Sequence, residues 1–307
     1  MKSSNIGGQA VLEGIMMKNG PKYAVAVRKH DGEIEVKVDE YKSIIKWEKL
    51  TKIPFIRGIF NFIDSMVLGM KTLTYSASFY EEEEDKSVVL TAEEAKKKEK
   101  QEDLIMTITM IASVIIALGL FMVLPYFISN LFGGIVKSRF LKTVIEALIR
   151  IVLFIGYVLL ISKMEDIQRV FMYHGAEHKC INCIENGLEL TVENVRISSK
   201  QHKRCGTSFL FFVVLVSIIV CFFINVESPV LRVVIRIALL PVIAGISYEL
   251  IRLAGRSTNP VISLLSKPGL AMQNLTTKEP DDSMIEVAIK AVEAVFDWKK
   301  FLMEEEK

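Results

Sequence analysis

The chain has 307 residues, of which 51% are hydrophobic and 24% charged, and its formal net charge is +2. This weak charge, without a basic stripe interleaved with aromatic residues, argues against a nucleic-acid partner. Four cysteines in a chain of this length exclude a disulfide framework and favour reduced thiols. The apolar excess over soluble domains must therefore lie in particular segments.

The N-terminal region, residues 1–103, is predicted to be a small cytoplasmic α+β region. Glycines and a glutamate interrupt residues 1–20, where a signal peptide would need an apolar core, so we expect a cytoplasmic N-terminus. Residues on either side of residues 30–32 alternate in the manner of two β-strands, and the Asp-Gly pair between them favours a tight turn. Together they predict a β-hairpin.

A long amphipathic helix is predicted to follow, beginning near Pro54. Arg57, Asp64 and Lys71 recur every seven residues and form a polar stripe opposite a broad apolar face. Such a helix suits either the membrane interface or packing against membrane spans. The charged residues 81–103 are typical of a solvated or helical linker.

Four apolar segments approach or exceed the roughly 20 residues that a helix needs to cross a bilayer. They are residues 104–132, 144–161, 208–226 and 230–251. The first has no charge after Asp103, which favours membrane insertion over burial in a soluble core. We therefore predict a mainly α, polytopic membrane protein with four transmembrane helices, paired in hairpins over residues 104–162 and 208–251.

The distribution of lysine and arginine predicts the orientation in the membrane. Residues 163–207 carry Lys163, Arg169, Lys179, Arg196, Lys200, Lys203 and Arg204. Residues 227–229 carry none, but the turn formed by residues 133–143 carries Lys137, Arg139 and Lys142, which argues in the opposite sense. Because residues 163–207 carry more lysine and arginine than the turn formed by residues 133–143, we predict that residues 163–207 and both termini lie in the cytoplasm.

The C-terminal region, residues 252–307, is also predicted to be cytoplasmic. Pro260 and Pro268 predict an interrupted segment, and residues 281–283 are candidate caps of a final helix. Ionisable residues also occur inside the predicted spans, near their outer ends: Glu146, Arg150, Arg232 and Arg236. We expect these side chains to reach the membrane surface, which gives little support to a transporter.

The most informative motif is YHGAEHKCINC, from Tyr173 to Cys183. His174 and His178 fit the pattern H-x-x-E-H, which on a helix places both imidazoles on one face, where they can hold one metal ion. Glu177 lies between them in sequence and is a candidate general base. Gly175 weakens the predicted helix by roughly 1 kcal/mol relative to alanine.

Further candidate ligands lie in the same segment. Cys180 and Cys183 form a C-x-x-C pair, and His202 and Cys205 form an H-x-x-C pair about 18 residues later, a separation found in structural zinc modules. The cluster has three interpretations: a closed structural metal site, an open catalytic site, or a hydrogen-bonded polar loop. Carboxylates that would complete or orient a site are Glu185, Glu189, Glu193 and Glu249. For Glu249 we favour a local pair with Arg252.

Five motifs along the chain carry a family resemblance: GGQAVLEGIMMKNG, YHGAEHK, LTVENV, HKRCGTSFL and PGLAMQNLTTKEPDDSMIEVAI. They resemble a YqhQ-type bacterial membrane protein family of unknown function, commonly labelled as metal-dependent enzymes. The resemblance implies a multi-pass protein of the bacterial inner membrane. The matching polar positions are Tyr173, His174, Glu177, His178, Lys179, Glu185, Glu193, His202, Arg204 and Cys205. Cys180 and Cys183 fall outside the motif and become secondary candidates.

Two functions follow as hypotheses. The first is a zinc-dependent, hydrolase-like activity at the cytoplasmic membrane face, with His174, His178, His202 and Cys205 as candidate metal ligands and Glu177 as catalytic base. The second is a non-enzymatic assembly or insertion factor, because plant relatives of the family are associated with photosystem assembly. Its partners would be the lipid bilayer and other membrane proteins or insertion machinery, with no nucleic acid.

Overall fold

The computed structural model describes residues 3–43, 53–80, 92–132, 136–224, 226, 228–257 and 259–304. The first part of the predicted charged linker, residues 81–91, lies outside them. The chain divides into two compact units. The first consists of Met1–Tyr80, Val158–Val216 and Pro241–Lys307, and the second of Glu81–Tyr157 and Ser217–Leu240.

A four-stranded antiparallel sheet begins the first unit, with strand order β1-β2-β3-β4. Its strands are β1 (Gly7–Val11), β2 (Gly14–Asn19), β3 (Lys22–Arg28) and β4 (Ile34–Glu40). The predicted hairpin is confirmed as β3 and β4. Strand β2 is buried on both faces over its first four residues and therefore lacks the polar alternation that predicts a strand, and neither β1 nor β2 was expected.

The helices, in chain order, are α1 (Ile56–Ala77), α2 (Ala92–Leu118), α3 (Leu124–Leu131), α4 (Arg139–Ile161), α5 (Glu165–Glu185), α6 (Val192–Ile197), α7 (Gly206–Phe223), α8 (Pro229–Ala238), α9 (Leu240–Arg256), α10 (Pro260–Thr276), α11 (Asp282–Val295) and α12 (Trp298–Met303). A π-helical turn, Gly119–Val123, joins α2 to α3. Residues 163–207, predicted as a loop, thus contain the helices α5 and α6.

The sheet is the middle layer of the first unit. One face contributes Ile15, Met17, Ala24 and Ala26 to a core shared with α5 and α11. The opposite face contributes Met16, Val25 and Val27 to a smaller core with Leu68 of α1. Alternate strand residues point to opposite faces, so the sheet buries both faces and fixes α5 against its first face.

Helix α1 confirms the predicted amphipathic helix, but its polar stripe contacts protein. Arg57 donates hydrogen bonds of 2.6 and 2.5 Å to the Glu249 carboxylate on α9, and Asn61 donates one of 2.8 Å to the Tyr248 hydroxyl. Glu249 therefore pairs mainly with Arg57, and Arg252 lies 4.0 Å away. Three apolar side chains of α1 are instead exposed: Phe62, Ile63 and Leu73.

Three helices are long and apolar enough to cross a membrane: Leu104–Leu131, Phe140–Ile161 and Gly206–Phe223. A fourth span results if α8 and α9, which are bent by 43°, are counted as one. In the described part of Leu104–Leu131, the most apolar stretch buries none of its residues within the protein, as expected of side chains that face lipid. The apolar segments read from the sequence correspond to these helices.

Two predictions about the remaining segments are wrong. Pro268 lies inside α10 and does not interrupt it. Within the spans, Glu146, Arg150 and Arg236 are buried and do not reach a surface. The predicted cap is confirmed, since Asp281 accepts a hydrogen bond from the Met284 amide.

Candidate metal centre

The H-x-x-E-H motif meets the helical condition for a metal site, although its segment was predicted as a loop, and it lies in the middle of α5. Glu165 and Asp166 occupy the first turn of this helix, where the helix dipole favours negative charge. His174 and His178 are one turn apart, and their ring centroids are 4.4 Å apart. The helical spacing therefore presents both imidazoles to the same point.

Cys205 approaches this pair from the segment just before α7. Its Sγ lies 3.3 Å from His174 Nε2. One ligand atom each from His174, His178 and Cys205 fits within 4.8 Å of the others. Cys205 and His178 are buried, and His174 is half-buried. Among the described residues, this is the group of His, Cys, Asp or Glu side chains with the spacing that a metal ion needs.

Backbone carbonyls fix both imidazoles from behind. His174 Nδ1 lies 2.9 Å from the Thr276 carbonyl oxygen, and His178 Nδ1 lies 2.7 Å from that of Lys200. Each Nδ1 must carry the proton to donate to a carbonyl, so each Nε2 presents a lone pair on the cysteine side. This orientation of the second ring nitrogen is typical of histidines that bind metals. Burial also lowers the pKa of His178 and so favours its neutral form.

Glu177 is buried where α5 meets β1. A methyl group placed on Gly8 would lie 2.5 Å from the Met16 carbonyl oxygen and 3.1 Å from the Glu177 carboxyl carbon, so only glycine fits there. Burial raises the pKa of Glu177, and its electrostatic interaction with His174 and a hydrogen bond from the Gly8 backbone oppose this effect. The carboxyl group is thus held in a dry position next to the histidine pair.

Gln273 fixes the segment that carries Cys205. Its side chain is fully buried and accepts a hydrogen bond of 2.9 Å from the His202 amide. The same side chain donates bonds of 2.7 Å to the His202 carbonyl and 2.8 Å to the Ser208 hydroxyl. These three bonds hold the residues on both sides of Cys205, so Gln273 positions the thiol without touching it.

His202 lies beside the cluster, with its ring centroid 5.8 Å from that of His178. Its Nε2 is 3.5 Å from Glu185 Oε2. Glu185 also accepts 2.8 Å hydrogen bonds from the amide and hydroxyl of Ser4, and one from Arg204. Burial opposes ionisation of Glu185, but these bonds and the arginine charge outweigh it and lower its pKa to about 2. The N-terminus is thus tied to α5 by an ionised carboxylate.

The remaining sequence candidates lie apart from the cluster. Cys180 and Cys183 are buried in the core between the sheet and α11, where burial raises both thiol pKa values. Lys179 donates to the carbonyls of Arg196 and Ser198 and so ties α6 to α5. The Tyr173 hydroxyl donates to Glu13, and Glu193 is exposed on α6.

A cavity of about 650 Å³ opens beside Cys205. It is formed by α1, α7 and α9, and most of its lining is apolar, including Phe62, Phe209 and Leu210. Arg204 and Cys205 contribute to its polar lining. The candidate metal centre therefore adjoins a space suited to a ligand with an apolar chain and a polar group.

Sequence reasoning missed several residues that build this site: Gly8, Lys200, Gln273 and Thr276. Their contributions are backbone carbonyls, a close approach and one amide side chain, and none of these has a metal-binding signature in sequence. The one available signal was indirect, because Gly8 lies in the N-terminal motif, and Gln273 and Thr276 in the C-terminal motif, that carry the family resemblance.

Comparison with known proteins agrees with that resemblance. Residues 53–298 match the family described as "Protein of unknown function (DUF1385)". The chain is 38% identical over 286 residues to "Uncharacterized protein YqhQ" of Bacillus subtilis (strain 168), an alignment that covers 93% of this chain and 90% of that protein. No solved structure matches. Since both matches extend over most of the chain, this protein belongs to the DUF1385 family.

Proposed function

We propose that the protein is a membrane-bound, zinc-dependent hydrolase that acts at the cytoplasmic membrane face. The observation that carries this proposal is the convergence of His174, His178 and Cys205, whose ligand atoms fit within 4.8 Å of one another. Two imidazoles and a thiolate are ligands that zinc prefers, and three protein ligands are typical of catalytic zinc sites. The fixed Nδ1 atoms of both histidines support the same assignment.

The residues fit this chemistry in distinct roles. His174, His178 and Cys205 would hold the zinc, which when bound supplies Lewis acidity and makes water nucleophilic near neutral pH. Glu177 takes a proton from the attacking water and returns it to the leaving group. One ester and one water would thereby give one carboxylic acid and one alcohol, because the water oxygen bonds to the acyl carbon and the bond from that carbon to the alcohol oxygen breaks.

The cavity beside Cys205 suggests the class of substrate. Its apolar walls suit one acyl chain, and Arg204 adds a positive charge near the thiol. The exposed apolar side chains Phe62 and Leu210 also line the cavity, which gives an amphiphile an apolar route from a bilayer. We therefore propose an ester with an apolar chain as the substrate.

The test measures zinc and hydrolysis on the purified full-length protein. Wild type is expected to contain about one zinc per chain by mass spectrometry, and His174→Ala and His178→Ala are each expected to lose most of it. Glu177→Gln is expected to keep zinc and to hydrolyse p-nitrophenyl octanoate about 100-fold more slowly, within the usual contribution of a general base. Wild type should prefer the octanoate to the acetate ester, because only the octanoate fills the cavity.

Cys183→Ser is the matched control, because the Cys183 thiol lies near the Glu189 carbonyl oxygen and the hydroxyl of a serine at this position can make the same contact. This variant should keep both zinc and activity. Loss of zinc in Cys183→Ser combined with Cys180→Ser, with retention in both histidine variants, would reverse the assignment and indicate a thiolate site. Wild-type protein without stoichiometric metal would remove the basis of the hydrolase proposal.

One observation favours a second candidate, a non-enzymatic assembly or insertion factor. The His202 ring lies close enough to His178 to become a fourth ligand if it leaves Glu185. Four protein ligands would saturate zinc and make the site structural. X-ray absorption spectroscopy distinguishes the two candidates, because a ligand shell of three protein atoms and one water supports the hydrolase.

A further inference from the structure

The second unit holds a buried group of ionisable side chains that the proposed hydrolysis does not use. Glu146, Arg150 and Arg236 are 7%, 3% and 3% exposed. Glu146 accepts a hydrogen bond of 3.1 Å from Arg150 and one of 3.0 Å from Arg236. Among the described residues of this group, one buried carboxylate thus faces two buried guanidinium groups, which leaves one positive charge in excess. An uncompensated buried charge is costly, so this arrangement needs an explanation.

Both arginines also have donors without partners. Among the described residues, the Nε atoms of Arg150 and Arg236 are buried and make no hydrogen bond. Nη1 and Nη2 of Arg236 contact the Glu146 carboxylate at 2.6 and 3.0 Å, so Nε is the donor of Arg236 that this pair leaves without a partner. Each unpaired buried donor costs about 1–3 kcal/mol. An anion accepting from Arg236 would remove this cost and balance the charge.

A cavity of about 290 Å³ adjoins this group. Its described lining has four cationic residues against one carboxylate: Lys137, Lys142, Arg232 and Arg236 against Glu146. The guanidinium groups of Arg232 and Arg236 lie 5.1 and 5.5 Å from the centre of the Tyr126 ring, which holds both in place. At about 30 Å³ per water, the cavity has room for on the order of ten water molecules, and therefore for a hydrated anion.

The same site accounts for a conflict in the distribution of charge. Lys137 and Lys142 lie in the turn predicted to be exterior, where the positive-inside rule disfavours basic residues. Both contribute to the cavity lining. Binding of an anion gives these lysines a role that is independent of membrane orientation.

We propose that this cavity binds a phosphate group, carried either by inorganic phosphate or by the headgroup of an anionic phospholipid. Inorganic phosphate carries more than one negative charge, and a phosphodiester headgroup carries one. Both have several acceptor oxygens, which suits the excess positive charge and the unpaired donors. Guanidinium groups match phosphate with two parallel hydrogen bonds. Lys137 and Lys142 add point charges at the same cavity.

The experiment uses the full-length protein in nanodiscs, with two arms. In phosphatidylcholine nanodiscs, binding of inorganic phosphate is measured by calorimetry at constant ionic strength set with chloride. In nanodiscs that also contain phosphatidylglycerol, native mass spectrometry counts the phosphatidylglycerol retained after transfer to detergent. Saturable phosphate binding assigns a free anion, and retained phosphatidylglycerol alone assigns a headgroup. If phosphate does not bind saturably and no phosphatidylglycerol is retained, the proposal is overturned.

Variants at the cavity lining sharpen both arms. Arg232→Gln and Lys142→Gln are each expected to weaken binding about tenfold, which corresponds to about 1.4 kcal/mol. Lys163→Gln is the control. This exposed lysine follows the C-terminal end of α4, whereas Lys142 lies near the N-terminal end, so the variant should bind as wild type does. Equal binding by all three variants and the wild type would contradict the site.

Arg236→Met provides a measurement that separates binding from structure. The substitution leaves Glu146 paired with Arg150, so it removes the excess charge together with the unpaired Nε donor of Arg236. We expect an unchanged or raised melting temperature without ligand, and loss of the rise that phosphate or phosphatidylglycerol produces in wild type. A variant that still shows the full rise would refute a role for Arg236 in binding.

Discussion

The Nδ1 atoms of His174 and His178 show how single atoms define the candidate centre. Thr276 and Lys200 supply only backbone carbonyls, yet these set the tautomer and orientation of each ring. The thiol of Cys205 is placed in a comparable way by Gln273, which holds its neighbours on both sides. Backbone carbonyls that position a ligand cannot be recognised from a sequence motif, because every residue has a carbonyl group.

Gln273→Leu tests this positioning at the scale of one residue. The substitution keeps the approximate volume but leaves the amide and carbonyl of His202 and the Ser208 hydroxyl without their partner. We expect a loss of roughly 3 kcal/mol in the free energy of unfolding, because unsatisfied buried groups cost about 1–3 kcal/mol each. Bound zinc should also decrease, as measured by mass spectrometry on protein that remains folded.

Gln168→Leu is the matched control for that change. Gln168 also lies in the first unit, but its side chain makes a longer, exposed hydrogen bond of 3.3 Å to the Lys163 carbonyl. Its melting temperature and zinc content should equal those of wild type. Equal effects of the two substitutions would show that Gln273 has no special role.

At the scale of elements, α5 is fixed by close packing as much as by helical preference. The sequence suggests that Gly175 weakens the helix, and the structure explains why glycine is there. A methyl group on Gly175 would lie 2.0 Å from the Lys278 carbonyl oxygen. The segment after α10 therefore passes directly over the motif helix, and this passage brings Thr276 to His174.

Gly175→Ala is accordingly expected to destabilise the protein, although alanine favours a helix by about 1 kcal/mol. Overpacking of this kind costs typically 1–3 kcal/mol, so the melting temperature should fall. Gly156→Ala on α4 is the control, because nothing lies within 4 Å of a methyl group at that position. There the helical preference acts alone, and the melting temperature should stay the same or rise. A higher melting temperature for Gly175→Ala would mean that α5 and the Lys278 segment separate readily.

At the scale of the whole molecule, the apolar helices and the distribution of basic residues together predict a membrane orientation. The helices are long and apolar enough to cross a bilayer. The basic residues of 163–207 favour a cytoplasmic position for the candidate centre. This orientation matters for the chemistry, because a reducing compartment keeps Cys205 available as a thiolate ligand.

Labelling of introduced cysteines tests the orientation, since the four native cysteines are buried. Ser138→Cys and Ser199→Cys replace exposed serines in the predicted exterior turn and in the segment before α7. A membrane-impermeant maleimide should label Ser138→Cys in intact cells and Ser199→Cys only after permeabilisation. Labelling of Ser199→Cys in intact cells would place the candidate centre outside the cytoplasm and remove the assumption of a reduced thiol.

Part of the candidate site was predictable because it is local in sequence. The interval between His174 and His178 equals one helical turn, so a helix is enough to bring them together. Cys205 was recognised as a candidate from its H-x-x-C pair, but its arrival at the histidine pair depends on α6, α7 and Gln273. His202 and Cys205 belong to the same sequence motif, yet the fold directs one to Glu185 and the other to His174.

The sequence by itself determined the apolar helices, the β3–β4 hairpin, the spacing of the histidine pair and the family, because periodicity, length and motif sequence are properties of short segments. Only the tertiary structure decided that Cys180 and Cys183 lie in a core, that Glu146, Arg150 and Arg236 are buried together, and that Arg57 and Asn61 of α1 contact α9. These outcomes depend on contacts between residues far apart in sequence. Burial and charge balance are set by the neighbours that folding supplies, and no local pattern contains them.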